Sequence, residues 1–177
     1  MAKTPPESMK KILEEARSFG KYLKDDAQYS DREVAVVVAA KVDSQIVELL
    51  QLFFIASTVT NAFLDSLTFS QKNQLAYLLG LTSKEMFQNI LKLIEIRNIF
   101  AHNHSDISFD TEAIVKAIDK MSYGTFQAAL YPKTKKISKR QVFIMSIEVI
   151  YTTLNNSKSE ARKQKRSPNT VFPIKVI

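Results

Sequence analysis

The sequence predicts an all-α protein, a compact helical bundle of about six to seven helices. Three observations carry that expectation. The chain has only three Gly and five Pro in 177 residues, too few for a fold of many tight turns. Apolar residues recur at three- and four-residue intervals, the period of one helical face. Ser or Thr followed three residues later by Glu or Gln, a box that satisfies the free N–H groups of a helix start, precedes most of these periodic segments.

The elements follow in order. "TPPE" offers Thr4 as a cap, Pro5 at the first helical position and Glu7 three residues after the cap. Met9, Ile12, Leu13, Ala16, Phe19 and Leu23 then mark one face of a first helix. "SDRE" repeats the box with Ser30 and Glu33 and opens a long helix through "VAVVVAAKVDSQIVELLQLFFIA". That helix is apolar nearly all round at its start, which places it at the centre of the domain. Its run of valines would also suit a buried strand, but its length and the lack of flanking turn residues favour helix. "TFSQ" caps the next helix with Thr68 and Gln71, and Gly80 is placed to end it. "TSKE" restarts the chain at Thr82 and Glu85 in a helix running to about His102 through Met86, Phe87, Ile90, Leu91, Ile94 and Phe100. A shorter helix follows "SFDTE" with Ile114, Val115, Ile118 and Met121, stopped by Gly124. The last starts at "SKRQ" and carries Val142, Met145, Ile150 and Leu154. Residues 1–156 read as one domain, and residues 157–177 as a basic C-terminal tail. Val171, Phe172, Ile174, Val176 and Ile177 give that tail an apolar end, able to dock on the bundle or on another subunit.

Composition bounds the chemistry. A chain of 177 residues is long enough to bury a substantial core without staples. It contains no Cys, which excludes disulfides, zinc fingers and thiol catalysis and suits a reducing compartment. "MAKTPPESMKK" has no apolar signal core, and the longest apolar run, "VAVVVAA", is cut short by Lys41 and Asp43. The expectation is a cytoplasmic protein without membrane contact. No Gly-rich phosphate loop occurs, and no cofactor is expected.

The charge is basic and uneven. From Pro132 onward there are 11 basic and two acidic residues, a net +9, which leaves −2 for the rest of a +7 chain. Lys133, Lys135, Lys136, Lys139, Arg140, Arg162, Lys163, Lys165 and Arg166 are therefore the candidate contacts to a nucleic-acid backbone. The plainer reading of the same clusters is a solvated end. Aromatic rings do not alternate with these charges, so a platform for stacking single-stranded bases is not indicated.

One segment breaks the pattern. "IEIRNIFAHNH", residues 94–104, sets Arg97, Asn98 and His102 among Ile94, Ile96, Ile99 and Phe100. A buried guanidinium without a partner is costly, so these groups either face a partner or mark the edge of the core. Asn98 and His102 are four residues apart and share a helical face, whereas Arg97 and His102 are about 140° apart at ~100° per residue. They converge only if the helix ends or bends, if Arg97 reaches round, or if a second copy supplies the other half. Read structurally, Arg97 pairs with Asp43 or Glu95 and His102 caps carbonyls at a helix end.

"RNIFAH" is Arg, four residues, His, and resembles the motif of the HEPN superfamily. The wider chain is similar to the mannitol operon repressor (MltR) family, through "DREVAVVVAAKVDSQIVELL", "FSQKNQLAYLLGLTSKE", "IRNIFAH" and "ISFD" in that order. These pieces cover about residues 30–120, and Phe69, Ser70, Lys72, Leu75, Tyr77, Gly80 and Leu81 carry the match beside the Arg–His motif. Ile99 stands where many relatives place an acidic residue. The resemblance implies a helical, dimeric domain and two functions of different class. The first is a non-enzymatic regulator repressing a sugar-alcohol operon through a protein partner or nucleic acid (RNA or DNA), without a helix-turn-helix. The second is a metal-independent ribonuclease of a toxin–antitoxin or phage-defence system. In it His102 would shuttle a proton, Arg97 would hold phosphate oxygens and Asn98 would orient either group.

Weaker candidates remain. His102, His104 and Asp106 in "HNHSD" offer three metal ligands with no fourth in view, and ordinary turn chemistry explains them. Ser66, Ser70 and Ser83 read as capping residues, not nucleophiles. Phe53, Phe54, Phe63 and Phe69 read as core rather than the lining of a ligand pocket. Asp25 and Asp26 read as a solvated helix exit.

Overall fold

A computed structural model describes residues 29–103, 106–122 and 137–167. Six helices are present among them, and no strand: α1 Asp31–Phe53, α2 Thr58–Ser66, α3 Phe69–Leu78, α4 Lys84–His102, α5 Glu112–Asp119 and α6 Lys139–Lys163. The all-α expectation holds. The helix expected over Thr4–Leu23 and the stop at Gly124 lie outside the described residues.

The capping boxes at Ser30–Glu33, Thr68–Gln71 and Ser138–Gln141 are all formed, each with reciprocal side-chain and backbone hydrogen bonds. The Ser30 backbone N–H, and secondarily its hydroxyl, holds the Glu33 carboxyl below the usual carboxylate range. Gly80 ends α3 as expected. It adopts a left-handed backbone, φ +72°, while its N–H meets the Tyr77 carbonyl and the Leu81 N–H meets the Ala76 carbonyl.

Three boundaries differ from the sequence expectation. The cap of α4 is Ser83, whose hydroxyl accepts the Met86 N–H; the Thr82 hydroxyl is buried without a hydrogen bond. The long helix stops at Phe53, because Phe54 turns extended and Ser57 caps a separate helix, α2. The sequence reading missed α2: its β-branched opening, "TVT", hid the Ser57 signal. Lastly, α6 continues past residue 156 to Lys163, with Ala161 fully buried in that extension.

The core is built around α1. Val34, Ala35, Val38, Ala39, Val42, Ile46, Leu49, Leu50 and Phe53 are buried along its whole length, and α6, α4 and α3 pack around it. Each buried Val, Leu or Ile contributes about 1.5–3 kcal/mol over its exposed state. Three contacts show that α1 and α6 run parallel and in register. At the start, Arg140 donates to Asp31 at 2.6 Å and to the Tyr29 carbonyl at 3.1 Å. Further along both helices, the buried Lys158 donates to Gln45 and, at 2.6 Å, to Glu48. At the end, the Arg166 N–H meets the Phe53 carbonyl at 2.8 Å. Asp31 also accepts the Phe109 N–H at 2.8 Å, which seats the Phe109 ring between Phe100 and Phe143.

The Arg140 and Asp31 side chains are only 12% and 20% exposed, so losing one partner strands a largely desolvated charge. Arg140→Met, which keeps the bulk, is expected to lower unfolding free energy in urea by about 3 kcal/mol. A loss below about 0.5 kcal/mol would mean that water already screens the pair. An NMR pH titration is expected to place Glu33 below ordinary glutamates. The stabilisation from its box is complete above the unfolded-state pKa and disappears as pH falls through the lowered folded-state value.

Candidate functional site

The α4 helix is amphipathic, burying Met86, Asn89, Ile90, Leu93, Ile96 and Phe100. That register turns Arg97, Asn98 and His102 outward, and all three are exposed. The polar residues of this segment therefore mark the edge of the core.

Neither carboxylate expected to pair with Arg97 does so. Asp43 takes Lys72 at 3.3 Å, and Glu95 takes Lys92 at 2.6 Å. Lys72 reaches Asp43 from α3 across its contact with α1, and Lys92 reaches Glu95 from one turn back on α4. Arg97 instead donates from Nη1 to Asn98 Oδ1 at 3.1 Å. His102 makes no hydrogen bond to another described residue, and the capping role expected for it falls to Asn103. The Asn103 N–H and side-chain amide both donate to the Ile99 carbonyl, at 3.2 and 2.8 Å, and Arg32 donates to the Asn103 carbonyl at 2.6 Å. A guanidinium against the last carbonyls of a helix opposes the negative end of its dipole.

Arg97 and Asn98 line an open groove of about 450 Å³ between three helices. The α1 helix contributes Val36, Ala39, Ala40 and Asp43, and α4 contributes Ile94 with the two polar residues. Its remaining wall is the capped start of α3, Thr68, Phe69 and Ser70, which presents the positive end of that helix. One Asp43 oxygen, Oδ1, is buried there without a hydrogen bond. The groove thus has an apolar floor, a guanidinium and an amide at one rim, and a helix start at the other. His102 is not part of its lining.

The sequence signalled part of this wall. Phe69, Ser70 and Lys72 carried the family resemblance, and Asp43 was a proposed partner of Arg97. That Phe69, Ser70 and Asp43 meet Arg97 across one groove depends on how α3 and α1 pack against α4, which no local pattern encodes.

Of the candidate nucleic-acid contacts, Lys133, Lys135 and Lys136 lie outside the described residues. Lys139 is paired with Asp119, and Arg140 with Asp31. Arg162, Lys163, Lys165 and Arg166 are exposed at the end of α6. Lys163 pairs with Glu160, and the Arg166 guanidinium sits 5.2 Å from the centre of the Phe53 ring. Of the expected metal ligands, His104 lies outside the described residues, and among the described residues no three His, Asp or Glu side chains gather. Ser83 is a cap, and Ser66 donates to the Phe63 carbonyl. Phe53 is core, but Phe63 is 47% exposed, a correction to its expected burial that follows from the position of α2. Among the described residues, no helix is long and apolar enough to cross a membrane.

No family model matches the sequence. No curated protein matches it. Among solved structures, the chain is similar to the X-ray structure of the MtlR-HPr complex from Escherichia coli, with a TM-score of 0.46 and 16% identity over 82% of this chain and 99% of that one.

Removing the Arg32 guanidinium is expected to loosen the last turn of α4 without unfolding the domain. In Arg32→Met, amide exchange at Asn103 should quicken and stability fall by about 0.5 kcal/mol. Unchanged exchange at that amide would show that Asn103 holds the end alone.

Proposed function

We propose that this chain is an MltR-like regulatory domain that acts through macromolecular contacts, with a protein partner engaged at the Arg97–Asn98 groove. The observation that carries the reading is the separation of Arg97 from His102. The guanidinium is directed onto Asn98 and the groove, and the imidazole stands at the helix end outside it. Within one chain this arrangement offers a binding surface in place of an acid–base pair. An acidic side chain on an extended partner segment suits the groove. The Arg97 fork pairs with carboxylates, Lys72 offsets the Asp43 carboxylate that shares the lining, the start of α3 favours negative charge, and the apolar floor covers a side-chain stem. The exposed cations Arg162, Lys163, Lys165 and Arg166, with Lys133, Lys135 and Lys136, add a salt-sensitive attraction to nucleic-acid backbones.

A second reading, metal-independent RNA cleavage, is favoured by one observation: His102 is exposed and makes no hydrogen bond to another described residue. A homodimer that brings the Arg97 of one copy to the His102 of the other would complete that site.

Two assays separate the readings. Affinity capture with the parent protein is expected to retain a specific protein that Arg97→Ala binds at least tenfold more weakly, as loss of a charge-assisted contact requires. Equal retention by both proteins would remove the groove from the account. Incubation of the parent with RNA in EDTA is expected to leave the RNA intact. Cleavage abolished by both His102→Ala and Arg97→Ala would replace regulation with catalysis.

A further inference from the structure

The α2 helix is poorly covered. Leu64 is its one buried residue, while Val59 is 76% and Phe63 47% exposed. Val59 and Phe63, four residues apart, share one face of α2, and Ile55, exposed in the non-helical connection just before the helix, adds a third apolar side chain to this row. Asp65 is the one charged residue of α2 and lies near its C-terminal end. Covering such a row would remove apolar surface from water.

The chain itself points to one. Beyond α6 the backbone turns back onto the end of α1, fixed by the Arg166 N–H on the Phe53 carbonyl and by the Arg166 guanidinium over the Phe53 ring. The described residues end one position later, at Ser167, close in space to Phe53 and hence to the start of the Ile55–Phe63 row. The ten residues that follow are "PNTVFPIKVI", and Lys175 is their one charged side chain. Phe172, Ile174 and Val176 alternate, so an extended chain presents all three on one side. At about 3.3 Å per residue, ten residues reach ~33 Å, and nine helical residues span only ~14 Å.

We propose that the C-terminal segment, residues 168–177, docks on the apolar row of α2 in its own chain, setting Phe172, Ile174 and Val176 against Ile55, Val59 and Phe63. Lys175, on the opposite side of the extended segment, stays in solvent. The two prolines do not oppose this, because the contact uses side chains and needs no ladder of backbone hydrogen bonds. The segment thereby covers a surface that would otherwise invite association between copies. This inference is independent of the regulatory reading, since α2 contributes nothing to the Arg97 groove.

The test compares the full chain with a truncation ending at Ser167. Amides of α2 are expected to exchange at least tenfold faster in the truncation, while those of α1 and α4 keep their rates. Equal α2 rates in the two proteins would overturn the proposal. Because the chain has no cysteine, a single nitroxide on Ile177→Cys reports position directly. It is expected to broaden the amide signals of Val59 to Phe63, unchanged on tenfold dilution. No broadening overturns the proposal. Broadening of an isotope-labelled copy by an unlabelled, nitroxide-bearing one would assign the face to a second copy and overturn it equally.

Discussion

The parallel contact between α1 and α6 is the constraint on which the rest of the molecule depends. The two helices are separated by more than eighty residues of chain, yet they are held in register at both ends and at a point between. A buried apolar seam fixes which faces meet but tolerates sliding. The Arg140–Asp31 pair and the Lys158 contacts to Gln45 and Glu48 do not, because a shift of one turn would leave desolvated charges unpaired. Asp31 extends this control to the α4–α5 connection by accepting the Phe109 N–H.

The candidate site inherits its geometry from that frame. Arg32, one residue after Asp31, reaches the Asn103 carbonyl, so the start of α1 lies at the end of α4 and the two helices run antiparallel. This places Arg97 and Asn98 opposite Ala40 and Asp43, where α3 closes the third side of a groove. The same register carries His102 past the groove to the helix end. The divergence of Arg97 and His102 therefore follows from an undistorted helix anchored at its last turn.

Much of this was legible in the sequence, for physical reasons that differ between elements. Capping boxes are local chemistry, and those at Ser30, Thr68 and Ser138 formed as read. The valine run of α1 announced a central helix because a segment apolar nearly all round needs neighbours on several sides. Thr82 misled because "TSKE" contains two adjacent hydroxyl residues, and the second, Ser83, is the one whose hydroxyl takes the Met86 N–H. The α2 helix was hidden because it is short and its β-branched opening masks the cap at Ser57. The exposure of Arg97, Asn98 and His102 could be anticipated from a polar interruption near a helix end. The pairing of Asp43 with Lys72 could not, since it arises between helices.

Interspin distances between α1 and α6 test the central claim, parallel packing, most directly. The cysteine-free chain allows clean nitroxide pairs, and Ala40, Gln51 and Lys163 are all exposed. Eleven residues of helix separate Ala40 from Gln51, about 16 Å at ~1.5 Å per residue. Parallel packing gives a short Gln51–Lys163 distance and a clearly longer Ala40–Lys163 distance. The opposite order would mean antiparallel helices and would contradict the frame on which the groove, its residues and the path of the C-terminal segment rest.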